Sequence, residues 1–107
     1  PEMKQLDTKN AGILSHNGVE IALCTDHPVI PVQYLFMSGA VAVKNGLDKY
    51  KALEAITINP ARICGIDRRV GSLSVGKDAD IIMFNDDPFN IMSEPAMIMI
   101  NGEVIKY

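Results

Sequence analysis

Two titratable residues, Asp26 and His27, stand side by side where an apolar run ends, and Pro28 follows at once. A carboxylate in such a place can bind a divalent cation and can carry a proton between attacking water and a leaving group. An imidazole beside it can contact a substrate or hold a metal-site carboxylate through a hydrogen bond. Each residue also has an ordinary use: Asp frequently closes a turn ahead of proline, and a loop histidine can be satisfied by its own surroundings. Residue types alone leave both uses open. His16, beside Asn17-Gly18, reads as a solvated or helix-capping residue. Gly71 to Lys77 lacks a strand–loop–helix context, and Lys77 is followed by Asp78 rather than Ser or Thr, so it makes no phosphate loop.

The elements that must position Asp26 are legible. Val19 to Thr25 (VEIALCT) is apolar except for Glu20 and follows a turn pair, which favours a buried strand. Before it, Leu6 to Asn17 reads as a short helix capped at Asp7 or Thr8. After it, Val32 to Asn45 has helical spacing and Gly46 is placed to end it. Asp48 caps a further helix whose apolar face is Ala52, Leu53, Ala55 and Ile56. Asn59-Pro60 breaks that helix, and Pro60 suits the first turn of another short one, Ala61 to Cys64, closed by Gly65. From Val70 onward the pattern is one of strands, Ile81 to Phe84, Met97 to Ile100 and Val104 to Tyr107. Asn101-Gly102 is a strong hairpin signal between the last two. An α/β portion over 1–69 therefore precedes an all-β portion over 70–107.

Composition narrows the partners. At 107 residues and net charge −3, with Lys and Arg scattered, no basic stripe points to nucleic acid. The longest apolar runs are strand-length, too short for a bilayer. The chain opens on polar residues rather than a signal peptide, which suggests a cytoplasmic protein. Cys24 and Cys64 are far apart and read as free, buried thiols. Met92, Met97 and Met99 read as core filler.

Three segments in this order resemble the amidohydrolase superfamily, in its imidazolonepropionase-like branch: VEIALCTDHPVIP (Val19 to Pro31), ALEAITINPARICGID (Ala52 to Asp67) and GSLSVGKDADIIMFNDDPF (Gly71 to Phe89). The resemblance implies that the chain is a C-terminal piece of a longer enzyme. It would hold the last strand and helices of a (β/α)8 barrel, followed by part of a small composite β-sandwich. It implies hydrolysis of C–N bonds other than peptide bonds, in a cyclic amide, amidine or N-acyl small molecule, with metal-activated water as nucleophile. Asp26 would be both a metal ligand and the catalytic proton carrier, and His27 a substrate contact. The metal would be divalent, zinc first, with iron, manganese or nickel as alternatives. The alternative within the same resemblance is a relative that kept the fold and serves in assembly without catalysis.

The rest of the family's metal set, an H-x-H pair, a lysine or glutamate and two further histidines, has no counterpart among two isolated histidines. A zinc site takes at least three protein ligands. The 107-residue chain by itself is therefore expected to bind no metal tightly and to hydrolyse nothing, and its unpaired strands are expected to drive self-association. Metal titration, a single-turnover amide-hydrolysis assay and size-exclusion chromatography check these expectations. Stoichiometric tight binding, metal-dependent hydrolysis or a clean monomer at high concentration would contradict them in turn.

Overall fold

The computed structural model describes residues 8–106. Four helices come first: α1 (Asn10–His16), α2 (Leu35–Lys44), α3 (Lys49–Ile56) and α4 (Ile58–Ile63), with a single 3-10 turn, Val32–Tyr34, leading into α2. Three strands follow, β1 (Ile81–Phe84), β2 (Pro95–Ile100) and β3 (Glu103–Lys106), as an antiparallel sheet in the order β1-β2-β3. No described helix is long and apolar enough to cross a membrane.

Helix ends obey local chemistry. Gly46 adopts φ +112° after α2, and its N–H donates to Val43 O while that of Leu47 donates to Ala42 O. A glycine in this conformation lets two otherwise orphaned carbonyls be satisfied at once. The same closure recurs after α1 at Gly18 and after α4 at Gly65. Asp48 caps α3, accepting from the N–H groups of Tyr50 (3.0 Å) and Lys51 (3.2 Å). The hairpin turn is as the sequence requires: Asn101 and Gly102 both take positive φ and leave Ile100 paired with Glu103.

Some expectations are corrected. α1 begins at Asn10 without a side-chain cap; Thr8 lies in the preceding turn, and Asp7 falls outside the described residues. α4 starts at Ile58, earlier than Ala61; Pro60 lies in its first turn as expected, where a proline's missing N–H has no helical carbonyl to lose. Val19 to Thr25 is not a paired strand, because no neighbouring strand reaches it among the described residues. Both cysteines are free but exposed rather than buried, Cys24 on the outward side of its segment and Cys64 at the end of α4. Met92 is 81% exposed in a loop and fills no core, whereas Met97 and Met99 are partly covered.

The core is thin. Its buried apolar members are Ala42, Leu47, Ala52, Ala55 and Ala61, and among the described residues no large side chain is fully buried. An alanine contributes one methyl, about 0.8 kcal/mol on burial, so close helix approach rather than bulk holds this layer. The same economy joins helices to sheet. Phe89 lies across α2 at Gly39, where a Cβ would come within 2.5 Å of its ring. Phe36 of α2 meets Phe84 of β1 edge-on at 5.1 Å and Phe89 at 6.4 Å. An open apolar groove of ≈ 740 Å³ remains between α1 and α2, lined by Leu14, Ile21, Leu23, Ile30, Met37 and Val41 among others.

One ion pair locks the loop that carries Phe89. Asp87 accepts from the Phe89 N–H at 2.9 Å and from Lys49 Nζ at 3.1 Å. The Phe89 amide first, and then Lys49, hold the Asp87 carboxyl below its ordinary range. The hydrogen bond and the charge of Asp87 raise Lys49 above its own. A lowered carboxylate contributes stability that is present above its unfolded value and is lost as pH falls through its folded value. A raised lysine contributes below its unfolded value and loses that contribution as pH rises through its folded value. Urea unfolding is therefore expected to show a neutral plateau with losses in acid and in strong alkali. Asp87→Asn should flatten part of the acid limb, and an unchanged limb would show that the pair does not matter.

Candidate active site

The site is built on the segment that enters it. From Ile21 to Thr25 burial alternates: Ile21, Leu23 and Thr25 are turned towards the helices, while Ala22 and Cys24 are exposed. That is the period of a strand, kept without ladder partners. Two long-range hydrogen bonds fix it instead. Leu23 N–H donates to Ala55 O at 2.9 Å, at the C-terminal half of α3. Asn59 Nδ2 donates to Ile21 O at 2.9 Å. Asn59 is only 6% exposed, and its Oδ1 accepts from Arg62 at 3.4 Å. It is the buried polar pin of the segment. Sequence reading saw it only as half of a helix-breaking pair; the available signal was its spacing from Ala52 and Ala55, which puts an amide on the apolar face.

Beyond Thr25 the chain reverses in a hydrogen-bonded turn. Val29 N–H donates to Asp26 O (2.8 Å) and Ile30 N–H to Thr25 O (3.2 Å), with a cis peptide between His27 and Pro28. Asp26 takes φ +53°, a region Asp tolerates better than most residues. The Asp26 side chain is exposed. No described residue donates to its carboxylate, so the turn is held by backbone and the side-chain oxygens are left available. Capping the turn, the ordinary use of such an aspartate, is thus performed by its carbonyl and not by its carboxylate.

His27 is exposed as well, with Nδ1 3.2 Å from Val32 N. That amide opens the 3-10 turn before α2, so His27 ties the loop back to the helix. His16 is not brought into this arrangement; its Nδ1 lies 2.7 Å from Gly12 O within α1. Lys77 is likewise consumed locally, donating to Ser72 Oγ (2.8 Å) and Val70 O (3.3 Å). Asp78 pairs with Arg69 at 2.9 Å, and Asp80 accepts from the Asn101 N–H at 2.8 Å; both serve the β portion. Among the described residues no three His, Cys, Asp or Glu side chains are grouped to hold a metal. Asp26 fits a metal site as one carboxylate donor and does not constitute one.

A family model described as Amidohydrolase family matches residues 3–105. The chain belongs to this family. It is 31% identical over 98 residues to amidohydrolase tasK of Hapsidospora irregularis, a match covering 91% of this chain and 10% of that protein. It is 36% identical over 80 residues to the imidazolonepropionase of Alkaliphilus metalliredigens, covering 68% of this chain and 18% of the relative. The crystal structure of an amidohydrolase from Thermotoga maritima superposes with a TM-score of 0.91 at 36% identity, covering 97% of this chain and 27% of that one. The chain thus spans between a tenth and about a quarter of the length of these relatives.

Removal of the pin provides a direct check on the segment. Asn59→Ala leaves Ile21 O without its donor in a partly buried place, which should cost about 1–3 kcal/mol and lower the melting temperature. Hydrogen exchange at Leu23 should accelerate as well. Unchanged stability and exchange would show that Asn59 does not hold the segment.

Proposed function

We propose that the polypeptide carrying these residues hydrolyses a C–N bond other than a peptide bond, in a cyclic amide, amidine or N-acyl small molecule, with Asp26 as metal ligand and proton carrier. The observation that carries this reading is an exposed carboxylate that accepts from no described residue, at the end of a strand-like segment, in a chain belonging to the amidohydrolase family. The segment is read as the last strand of a (β/α)8 barrel. Its two-residue burial period without ladder partners, and the Thermotoga maritima likeness over 97% of the chain, support that reading. In such barrels functional residues lie at the C-terminal ends of strands.

Asp26 would supply one ligand to a divalent metal, zinc in the first instance, and residues of the family-length protein outside this chain would supply the others. When bound, the metal would acidify water and polarise the scissile carbonyl. Asp26 takes the proton of the attacking water, and the protonated carboxyl returns it to the departing nitrogen. The turn serves this by keeping both oxygens of Asp26 clear of backbone donors, which would otherwise compete for the lone pairs. His27, on the same rim, is the substrate contact.

In the full-length protein, Asp26→Asn should lower turnover of a cyclic-amide and N-acyl panel by about 10²–10⁴-fold, the range for loss of a positioned acid–base group. Metal content measured by mass spectrometry should also fall. Full activity and full metal occupancy in Asp26→Asn would sink the proposal.

A further inference from the structure

The contact between His27 and Val32 decides which way the imidazole acts. A backbone N–H can only donate, so Nδ1, 3.2 Å from Val32 N, must accept and cannot carry the ring proton. In the neutral ring that proton is therefore on Nε2. No described residue takes a hydrogen bond from Nε2, and His27 is exposed, next in the chain to the equally exposed Asp26. The loop from Asp26 to Val32 is short and internally bonded, through Val29 to Asp26 O and Ile30 to Thr25 O. Pro31, at φ −55° and ψ 140°, delivers the chain to Val32, the first residue of the 3-10 turn. The Val32 amide is not used within that turn, which leaves it free to orient the ring.

We propose that Val32 is a positioning residue whose amide fixes His27 as an Nε2–H donor, so that this protein selects substrates with a hydrogen-bond acceptor beside the scissile C–N bond. The acceptor is an oxygen or an unprotonated ring nitrogen; an ammonium or N–H at that place is disfavoured, because donor would face donor. This rests on the reading of Asp26 as the reacting centre and adds the polarity of the neighbouring subsite.

Side-chain geometry allows the polarity to be tested. Glutamine places an amide donor near the position of Nε2, asparagine places one near Nδ1, and glutamate replaces the donor with an acceptor. Val32→Pro removes the amide donor and exchanges a 58% exposed isopropyl group for the proline ring; proline is tolerated at the first helical position, and the residue before it is already extended. The full-length protein, selectively ¹⁵N-labelled at histidine, is examined at one pH by long-range ¹H–¹⁵N correlation. The same variants are assayed on hydantoin, dihydrouracil and N-acetyl-L-amino acids.

His27 is expected to show the Nε2–H pattern, and Val32→Pro to convert it to a mixture of tautomers. In the assays His27→Gln should keep KM within about threefold. His27→Asn and His27→Glu should raise it by about tenfold or more, the order of one lost hydrogen bond, with kcat much less affected. Val32→Pro should raise KM by a smaller factor, at most about twofold, the value for an equal mixture of tautomers. An Nδ1–H pattern in the parent protein, or a tautomer unmoved by Val32→Pro, overturns the inference whether or not any panel compound is turned over. So does an unchanged KM in His27→Asn and His27→Glu when Asp26→Asn abolishes turnover. Failure of the underlying reading is distinct: turnover and metal content would then survive Asp26→Asn.

Discussion

Everything that bears on chemistry here depends on how an apolar segment with no strand partner is held in place. Strands are normally fixed by ladders on one or both edges, and an unpaired backbone in a covered position loses hydrogen bonds it had in water. Residues 21–25 replace the ladder with two bonds, Leu23 N–H to Ala55 O and Asn59 Nδ2 to Ile21 O. Both anchors belong to the α3–α4 pair, itself set by the Asp48 cap and the small faces of Ala52, Ala55 and Ala61. The reach of Asp26 beyond the helical layer is therefore inherited from alanine-mediated packing two elements away.

This arrangement leaves a protein with polar order and little apolar bulk. Large side chains such as Ile13, Val29, Ile30 and Val41 stay substantially exposed, and the groove between α1 and α2 lies directly beside the segment. A layer so thin leaves little apolar area to set against the entropy of ordering the chain. The aromatic contact of Phe36 with Phe84 and Phe89 and the exposed Lys49–Asp87 pair are among the contacts that join helices to the β portion.

The turn that follows the segment divides labour between backbone and side chain. Carbonyls of Thr25 and Asp26 close it, and the Asp26 carboxylate and the His27 Nε2 have no partner among the described residues. Groups left available in a well-bonded loop are those on which binding and proton transfer can act. Family membership gives this availability a chemical direction, since the comparisons cover nearly the whole chain while the chain covers only a minor share of the relatives.

The sequence by itself determined what depends on nearest neighbours along the chain. Gly46, Gly65, Asp48 and Asn101-Gly102 act through their own φ or their own side-chain reach, and each performs the task its type suggests. The position of Asp26 after an apolar run was legible for the same reason, as was its resemblance to a family motif. Tertiary structure alone decided the rest. Whether Val19 to Thr25 forms a ladder depends on neighbours that local pattern cannot supply. The use of Asn59 depends on a contact 38 positions away. The amide that faces His27 Nδ1 is set by how the loop returns to Val32. Periodicity reports which face of an element is covered; it does not report by what.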